Sequence, residues 1–154
     1  MDNGFSKASA YVDGSFSKEE NCFASGVVLF AGDREFHYSE RRNDENLLPL
    51  WNVAGETVAA WRAMKFCLDN GIRELELYHD YEGIAKWCTG EWKANKEGTK
   101  AYRNYYNKIK DRLKVHFHKV KGHSGVKYNE LADKLAGEAI QGNETGGWVE
   151  ADAG

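Results

Sequence analysis

The stretch from residue 10 to residue 40, AYVDGSFSKEENCFASGVVLFAGDREFHYSE, decides the fold. Its apolar and alternating runs predict three strands, at residues 10–16, 22–30 and 34–40, with short polar turns between them. Turns of this length join neighbouring strands in antiparallel order. The first part of the chain is therefore expected to form a three-stranded antiparallel meander.

Helices and strands alternate after this meander. Apolar spacing predicts helices at residues 56–70, 81–89, 99–113 and 129–140, and strands at residues 73–79 and 114–120. Strands that follow helices are typical of parallel crossover connections. We expect an α/β fold: a five-stranded mixed sheet, with three antiparallel strands followed by parallel strands and with helices on both faces.

The composition fits one globular domain. The chain has 154 residues, of which 42% are hydrophobic and 29% charged. Its longest apolar run, residues 26–30, is too short to cross a membrane, and no secretory signal is visible. We expect a leader at residues 1–8, a domain at 9–141 and a flexible tail at 142–154. An odd cysteine count without CxxC spacing predicts reduced thiols in a cytoplasmic protein, at Cys22, Cys67 and Cys88.

Charge is distributed unevenly along the chain. The net charge is −3, but the segment from Lys86 to Lys127 carries twelve Lys and Arg residues against three acidic residues, a net charge of +9 that leaves −12 for the rest. Such asymmetry favours a surface that faces a polyanion, the alternative being a solvated helix face.

Four carboxylates occupy unusual positions. Asp13 interrupts an apolar strand, Glu56 begins a predicted helix, Asp80 ends a predicted strand, and Asp133 lies in the first turns of the last helix. Taken singly, each has an ordinary alternative: a turn residue, a helix-start acid, a helix cap and a solvated helix residue, respectively. A charge inside a strand is costly unless it is paired or bound to metal. If Asp13 and Asp80 lie on adjacent parallel strands, their side chains can converge.

Converging carboxylates suit a hard divalent cation. Mg²⁺ is held by a few carboxylates together with phosphate oxygens of a substrate. Two such ions can activate the attacking water and stabilise the leaving oxygen of a phosphodiester. The carboxylate set therefore indicates metal-assisted phosphodiester chemistry.

Five short motifs resemble, in order, those of type 1 ribonucleases H. They are Tyr11-Val12-Asp13-Gly14-Ser15, Asn52-Val53-Ala54-Gly55-Glu56, Tyr78-His79-Asp80, Val120-Lys121-Gly122-His123-Ser124-Gly125 and Asn129-Glu130-Leu131-Ala132-Asp133. The resemblance spans residues 10–140 and implies an RNase H-like fold. Residues 81–96 are similar to bacterial members that often carry an N-terminal hybrid-binding module, which is expected to be absent here.

The resemblance implies a site and an activity. Asp13, Glu56, Asp80 and Asp133 would bind the metal, as two Mg²⁺ ions with substrate bound, and Mn²⁺ would substitute. His123 would assist proton transfer or product release. The expected reaction is hydrolysis of the RNA strand of an RNA–DNA hybrid, which leaves 3′-hydroxyl and 5′-phosphate ends.

Further residues are expected to contact the hybrid duplex. The resemblance implies contacts to the 2′-hydroxyl or backbone from Gly14, Ser15 and Asn52. Aromatic residues lie among cations at Trp87, Trp92, Lys93 and Lys96. This pattern favours stacking of the aromatic rings on sugars or bases and contacts of the lysines to phosphates. Packing in the core is the alternative for Trp87. The histidines at 116 and 118 are expected to be exposed, and no metal site is expected there.

Two rival functions remain open at this stage. One is another nuclease of the same fold, such as a resolvase or a strand-transfer domain, which would share the acids but not the loop around His123. The other is a non-catalytic module that binds hybrid, which would have no need to gather four negative charges beside phosphate. The protein is expected to act as a monomer without a membrane partner.

Overall fold

A computed structural model describes residues 6–45, 47, 50, 52–120 and 127–151. Six strands and four helices lie within these ranges. In chain order they are β1 (Lys7–Ser17), β2 (Cys22–Ala31), β3 (Arg34–Arg42), α1 (Asn52–Asp69), β4 (Glu74–His79), α2 (Gly83–Thr89), α3 (Glu97–Ile109), β5 (Lys114–Lys119), α4 (Lys127–Ile140) and β6 (Val149–Ala151). None of these helices is long and apolar enough to cross a membrane.

The strands form one mixed sheet in the order β5-β4-β1-β2-β3-β6. The pairs β1–β2 and β2–β3 are antiparallel, as the short turns predict. The pairs β1–β4 and β4–β5 are parallel, because a helical crossover precedes both β4 and β5. The predicted α/β class and mixed sheet are thus confirmed.

The sheet has one strand more than the sequence predicts. Residues 142–154 were expected to form a flexible tail, whereas Val149–Ala151 pair antiparallel with β3. The indole of Trp148 packs against aromatic rings of β3 and α1, and Arg34 binds Glu150 through two hydrogen bonds of 3.0 and 2.8 Å. The anchoring contacts come from residues about a hundred positions away, so no local pattern marks this strand.

Helices cover both faces of the sheet. Val12 of β1 is buried in the main core with Ala59 and Met64 of α1. Its neighbour Tyr11 points to the opposite face, where its ring contacts Tyr128 of α4. The three cysteines are buried and unpaired, in agreement with the expected thiols.

Glycines let α1 and α4 approach the sheet so closely that backbone contacts backbone. A Cβ atom added at Gly26 of β2 would overlap the Ala132 carbonyl oxygen of α4. A Cβ atom added at Gly14 of β1 would lie 2.7 Å from the Gly55 carbonyl carbon of α1. The Ser25 hydroxyl also donates a 2.7 Å hydrogen bond to the Gly55 carbonyl oxygen. These contacts fix how closely α1 and α4 lie against the central strands.

We predict that Gly26→Ala destabilises the protein by about 1–3 kcal/mol or more, because its methyl group meets backbone that cannot rotate away. Gly137→Ala on α4 is the matched control, since nothing lies within 4 Å of the added Cβ atom. That variant should gain about 0.5–1 kcal/mol from helix propensity. Urea unfolding of the three proteins measures both effects. Equal stabilities for parent and Gly26→Ala would contradict the close approach.

Candidate active site

Asp13 and Asp80 lie at matching positions of adjacent parallel strands. Tyr11 of β1 pairs with Tyr78 of β4, and their rings stack at 4.6 Å. Asp13 lies two residues after Tyr11 in β1. Asp80 lies two residues after Tyr78, just beyond the end of β4 at His79. The two carboxylates therefore meet at one end of the sheet, as the sequence predicted for adjacent parallel strands.

Glu56 reaches the same end of the sheet from α1. The helix begins at Asn52, so Glu56 lies in its second turn rather than at its start, where the sequence placed it. Its side chain is only 4% exposed. Its Oε2 atom accepts hydrogen bonds from the backbone N–H groups of Asp80, at 2.7 Å, and Tyr81, at 3.2 Å. Glu56 is thus fixed to the backbone that carries Asp80.

His79 supports this turn, a role that sequence reasoning missed. The side chain is 1% exposed, and its Nδ1 atom lies 3.0 Å from the Tyr81 carbonyl oxygen, to which Nδ1–H can donate. Burial lowers the pKa of His79 and so favours the neutral ring. The hydrogen bond closes the turn whose N–H groups hold Glu56. The only sequence signal for this role is the position of His79 next to Asp80.

Asp133 completes the cluster from α4, on the other side of the sheet end. The close approach of α4 to Gly26 places Asp133 near Asp13, and the charge of Asp133 adds to the effect of burial, which raises the pKa of Asp13. Asp133 is exposed, whereas Asp13 and Asp80 are half-buried. The structure therefore brings together all four carboxylates that the sequence singled out.

The electrostatics of the cluster favour protons or cations. Burial raises the pKa of Asp13 to about 7; the Gly14 N–H, 2.8 Å from Oδ1, opposes this rise, and the charges of Asp133 and Asp80 add to it. Burial likewise raises the pKa of Glu56 to about 8, against the two backbone hydrogen bonds and with the charges of Asp13 and Asp80. Because the charges that act on these groups are mutually repulsive, a divalent cation would find both negative potential and hard oxygen donors here.

A surface cavity of about 350 Å³ contains three of the predicted substrate residues. Trp87, Lys93 and Lys96 line it together with Tyr81, whose backbone also holds Glu56. Trp87 is only 7% exposed and also packs in the main core, so both interpretations of this residue have structural support.

Trp92 lies beside this cavity. The residue is half-buried, its ring centroid is 6.3 Å from that of Trp87, and the Lys86 ammonium lies 5.5 Å from the Trp92 ring centroid. Lys86 and Trp92 thus place a cation beside an aromatic ring at this point of the surface.

The structure describes only some of the remaining predicted residues. Gly14 packs against α1, and Ser15 is half-buried in β1. Asn52 begins α1, but its side chain, like the whole of His123, lies outside the described part of the chain. The substrate contacts of these residues stay predictions.

A sheet that gathers polar side chains where its parallel strands end is typical of α/β enzymes, whose sites lie at strand ends. The family described as RNase H matches residues 6–141. The chain is 31% identical over 149 residues to a ribonuclease H of Acetivibrio thermocellus, a match that covers 89% of this chain and 97% of the relative. It is 33% identical over 155 residues to a ribonuclease H of Marinobacter nauticus, covering 88% and 95%, respectively.

Solved structures give the same result. The crystal structure of RNase H1 from the halophilic archaeon Halobacterium salinarum NRC-1 superposes with a TM-score of 0.67 at 26% identity, over 89% of this chain and 99% of that one. The chain belongs to the RNase H family, and it is therefore an enzyme of the ribonuclease H class.

We predict that the metal-free protein loses stability as the pH rises from about 5 to about 9. The folded-state pKa values of Asp13 and Glu56, about 7 and about 8, exceed the unfolded values of about 4, so the folded state binds more protons in this range. The stabilising contribution is complete below the unfolded values and disappears as the pH passes through the folded ones.

Urea unfolding in excess chelator at several pH values measures this dependence. Asp13→Asn should flatten it and raise stability at high pH, because the variant removes one of the repelling charges. Asp111→Asn, at an exposed site after α3, should retain the parent's dependence. Identical pH profiles for the parent and Asp13→Asn would show that burial and the neighbouring carboxylates do not raise the pKa of Asp13.

Proposed function

We propose that this protein is a divalent-cation-dependent endoribonuclease that hydrolyses the RNA strand of RNA–DNA hybrids and leaves 3′-hydroxyl and 5′-phosphate ends. The observation that carries the proposal is the convergence of Asp13, Glu56, Asp80 and Asp133 from β1, α1, the end of β4 and α4. A module that only bound nucleic acid would gain nothing from four negative charges beside its phosphates. Membership of the RNase H family supports the same reaction.

The four side chains fit two Mg²⁺ ions, with Mn²⁺ as a substitute. All the donors are carboxylate oxygens, which hard cations prefer, and burial together with neighbouring carboxylates holds the pKa of Asp13 well above its usual range. When bound, the cations would activate the attacking water and stabilise the charge on the leaving oxygen.

The acids differ in exposure, and this difference suggests a division of roles. Glu56 is buried and fixed by two backbone N–H groups, so it would hold its place as substrate enters. Asp133 is exposed on α4, so it would face the incoming phosphate. The fixed Glu56 and the accessible Asp133 would together keep the reacting phosphate in one orientation.

His123 is proposed to assist proton transfer or product release. The backbone N–H of Val120 donates a 2.7 Å hydrogen bond to the His79 carbonyl oxygen, so the chain leaves β5 beside Asp80. It returns at Lys127, where α4, the helix of Asp133, begins. Val120 and Lys127, the nearest described residues on either side of His123, thus lie next to the end of β4, which precedes Asp80, and at the start of the helix that carries Asp133.

The hybrid duplex is proposed to extend from the acids over the cavity lined by Trp87, Lys93 and Lys96. The cations would contact phosphates and the aromatic rings would contact sugars or bases, while Gly14, Ser15 and Asn52 would read the RNA strand. The monomeric state and the cytoplasmic location that the sequence suggests remain parts of this proposal.

We predict that Asp13→Asn, Glu56→Gln and Asp80→Asn each abolish cleavage of a labelled hybrid, and that excess EDTA does the same to the parent. Glu56→Gln should fold normally, because its amide oxygen can still accept both backbone N–H groups. Asp111→Asn is the control and should keep full activity. Parent activity in EDTA, or 2′,3′-cyclic phosphate ends, would contradict the proposed chemistry.

We also predict that Lys93→Gln combined with Lys96→Gln raises KM and flattens the dependence of hybrid affinity on salt. Each lost phosphate contact should reduce the slope of log affinity against log salt by about 0.9. The maximal rate should change less, because these contacts lie away from the reacting phosphate.

The matched control is Lys108→Gln combined with Lys110→Gln, because Lys108 and Lys110 lie at the other end of α3, about 20 Å from Lys96. Titrations at several salt concentrations compare the two double variants. If both flattened the slope equally, the cavity would not be a preferred contact.

A further inference from the structure

Two carboxylates and an imidazole lie close together on β4 and β5, away from the four acids. Leu75 and Leu77 of β4 point into the main core, so Glu74 and Glu76 point to the opposite face. The parallel register with β5 sets Glu76 beside His116. The sequence led us to expect no metal site here, because His116 and His118 alternate with an apolar face and were expected to be exposed. Only the strand register brings His116 next to the two glutamates.

Solvent can reach this part of the sheet. The helix α4 packs against β1, β2 and β3, with the ring of Tyr128 over Tyr11 and Phe30. The group lies further along the sheet, towards its β5 edge. All three of its side chains are half-buried, so an ion could enter without unfolding any element.

The distances resemble those between the ligands of a single ion. The His116 Nε2 atom lies 2.7 Å from Glu74 Oε2 and 3.8 Å from Glu76 Oε2. One ligand atom from each residue can be chosen so that all three lie within 4.8 Å of one another. Ligands of a tetrahedral ion with bonds of 2.0–2.1 Å are about 3.3 Å apart, so small side-chain movements would seat one ion among these three atoms.

We propose that Glu74, Glu76 and His116 form a second metal site, which binds a divalent transition-metal ion such as Zn²⁺. Two carboxylates and one imidazole are a donor set that suits Zn²⁺, whereas Mg²⁺ prefers oxygen ligands alone. The 2.7 Å contact between His116 Nε2 and Glu74 Oε2 is a hydrogen bond in the metal-free protein, and the ion would replace it. Binding uses the tautomer of His116 that carries its proton on Nδ1, so that the Nε2 lone pair faces the ion. Water would complete the coordination on the solvent side.

Two neighbours modulate this site through Glu76. The His118 Nε2 atom lies 2.6 Å from Glu76 Oε1 and can donate to it, which orients the carboxylate and leaves Oε2 for the ion. The Lys7 ammonium lies 3.3 Å from that same Oε2 and therefore competes with the ion. The hydrogen bond from His118, and after it Lys7, lowers the pKa of Glu76, so this ligand is ionised at neutral pH.

The site is separate from the four acids. Glu76 precedes Asp80 by four residues, which is roughly 13 Å along an extended chain. An ion bound there would join β5, the strand at one edge of the sheet, to its neighbour β4. Its expected effect is to stabilise this edge, so Zn²⁺ should raise the melting temperature.

The test is a Zn²⁺ titration of the full chain near neutral pH, in excess Mg²⁺. NMR signals of the histidine ring nitrogens are recorded at each Zn²⁺ concentration. The His116 Nε2 signal should shift until one equivalent of Zn²⁺ is bound and should not respond to Mg²⁺ alone. His37 is the internal control, because its Nε2 atom lies 2.6 Å from the Glu35 carboxylate and it belongs to no group of three possible metal ligands among the described residues.

Calorimetric titrations of variants give the second measurement. His116→Gln should weaken Zn²⁺ binding about tenfold or more, and His118→Gln should weaken it less. His37→Gln should bind as the parent does, and Lys7→Met should bind more tightly, because the competing ammonium is gone. A tighter Lys7→Met variant is not expected of a purely structural salt bridge.

Several results would overturn the proposal. An unchanged His116 signal at Zn²⁺ concentrations that saturate the protein would do so, as would equal losses of affinity in His116→Gln and His37→Gln. If His116→Gln failed to fold, the NMR titration of the parent would decide alone.

Discussion

The close approach of two helices to the central strands brings Glu56 and Asp133 to the strand ends where Asp13 and Asp80 already meet. Gly14 and Gly55 let α1 contact β1, and Gly26 lets α4 contact β2. At each of these contacts the backbones lie so close that even a methyl group would not fit between them. Because α1 carries Glu56 and α4 carries Asp133, these contacts draw both residues towards Asp13. The arrangement of the four carboxylates is therefore set by packing of the backbone and not by attraction between the side chains, which repel one another.

Gathering four carboxylates has a cost that the fold must offset. Burial and mutual repulsion raise the pKa values of Asp13 and Glu56 into the neutral range, so without a cation the site holds protons instead. The turn after β4 limits this cost, because its backbone N–H groups donate to Glu56 while His79 holds the turn in place. The same features that weaken the metal-free protein would strengthen its affinity for divalent cations, an exchange of stability for function that is common at active sites.

Much of this arrangement could be predicted from the sequence. The meander, the later alternation of helices and strands, and the meeting of Asp13 with Asp80 follow from local periodicity and the rule that helical crossovers join parallel strands. Contacts between distant residues could not be predicted in this way. The strand β6 depends on Trp148 and Arg34, and the His79 contact to Tyr81 depends on a turn that no periodicity marks. The group around His116 likewise becomes visible only once the register of β4 and β5 is known.

Hydrolysis is proposed to require divalent cations that Asp13, Glu56, Asp80 and Asp133 hold together. The most direct measurement is the anomalous scattering of Mn²⁺ in crystals of the Asp80→Asn and Asp111→Asn variants and of the parent. The parent and Asp111→Asn should show Mn²⁺ in contact with the clustered carboxylates, and Asp80→Asn should show weaker or missing density there. Mn²⁺ that bound elsewhere in the parent, or that bound equally well in all three proteins, would contradict the account.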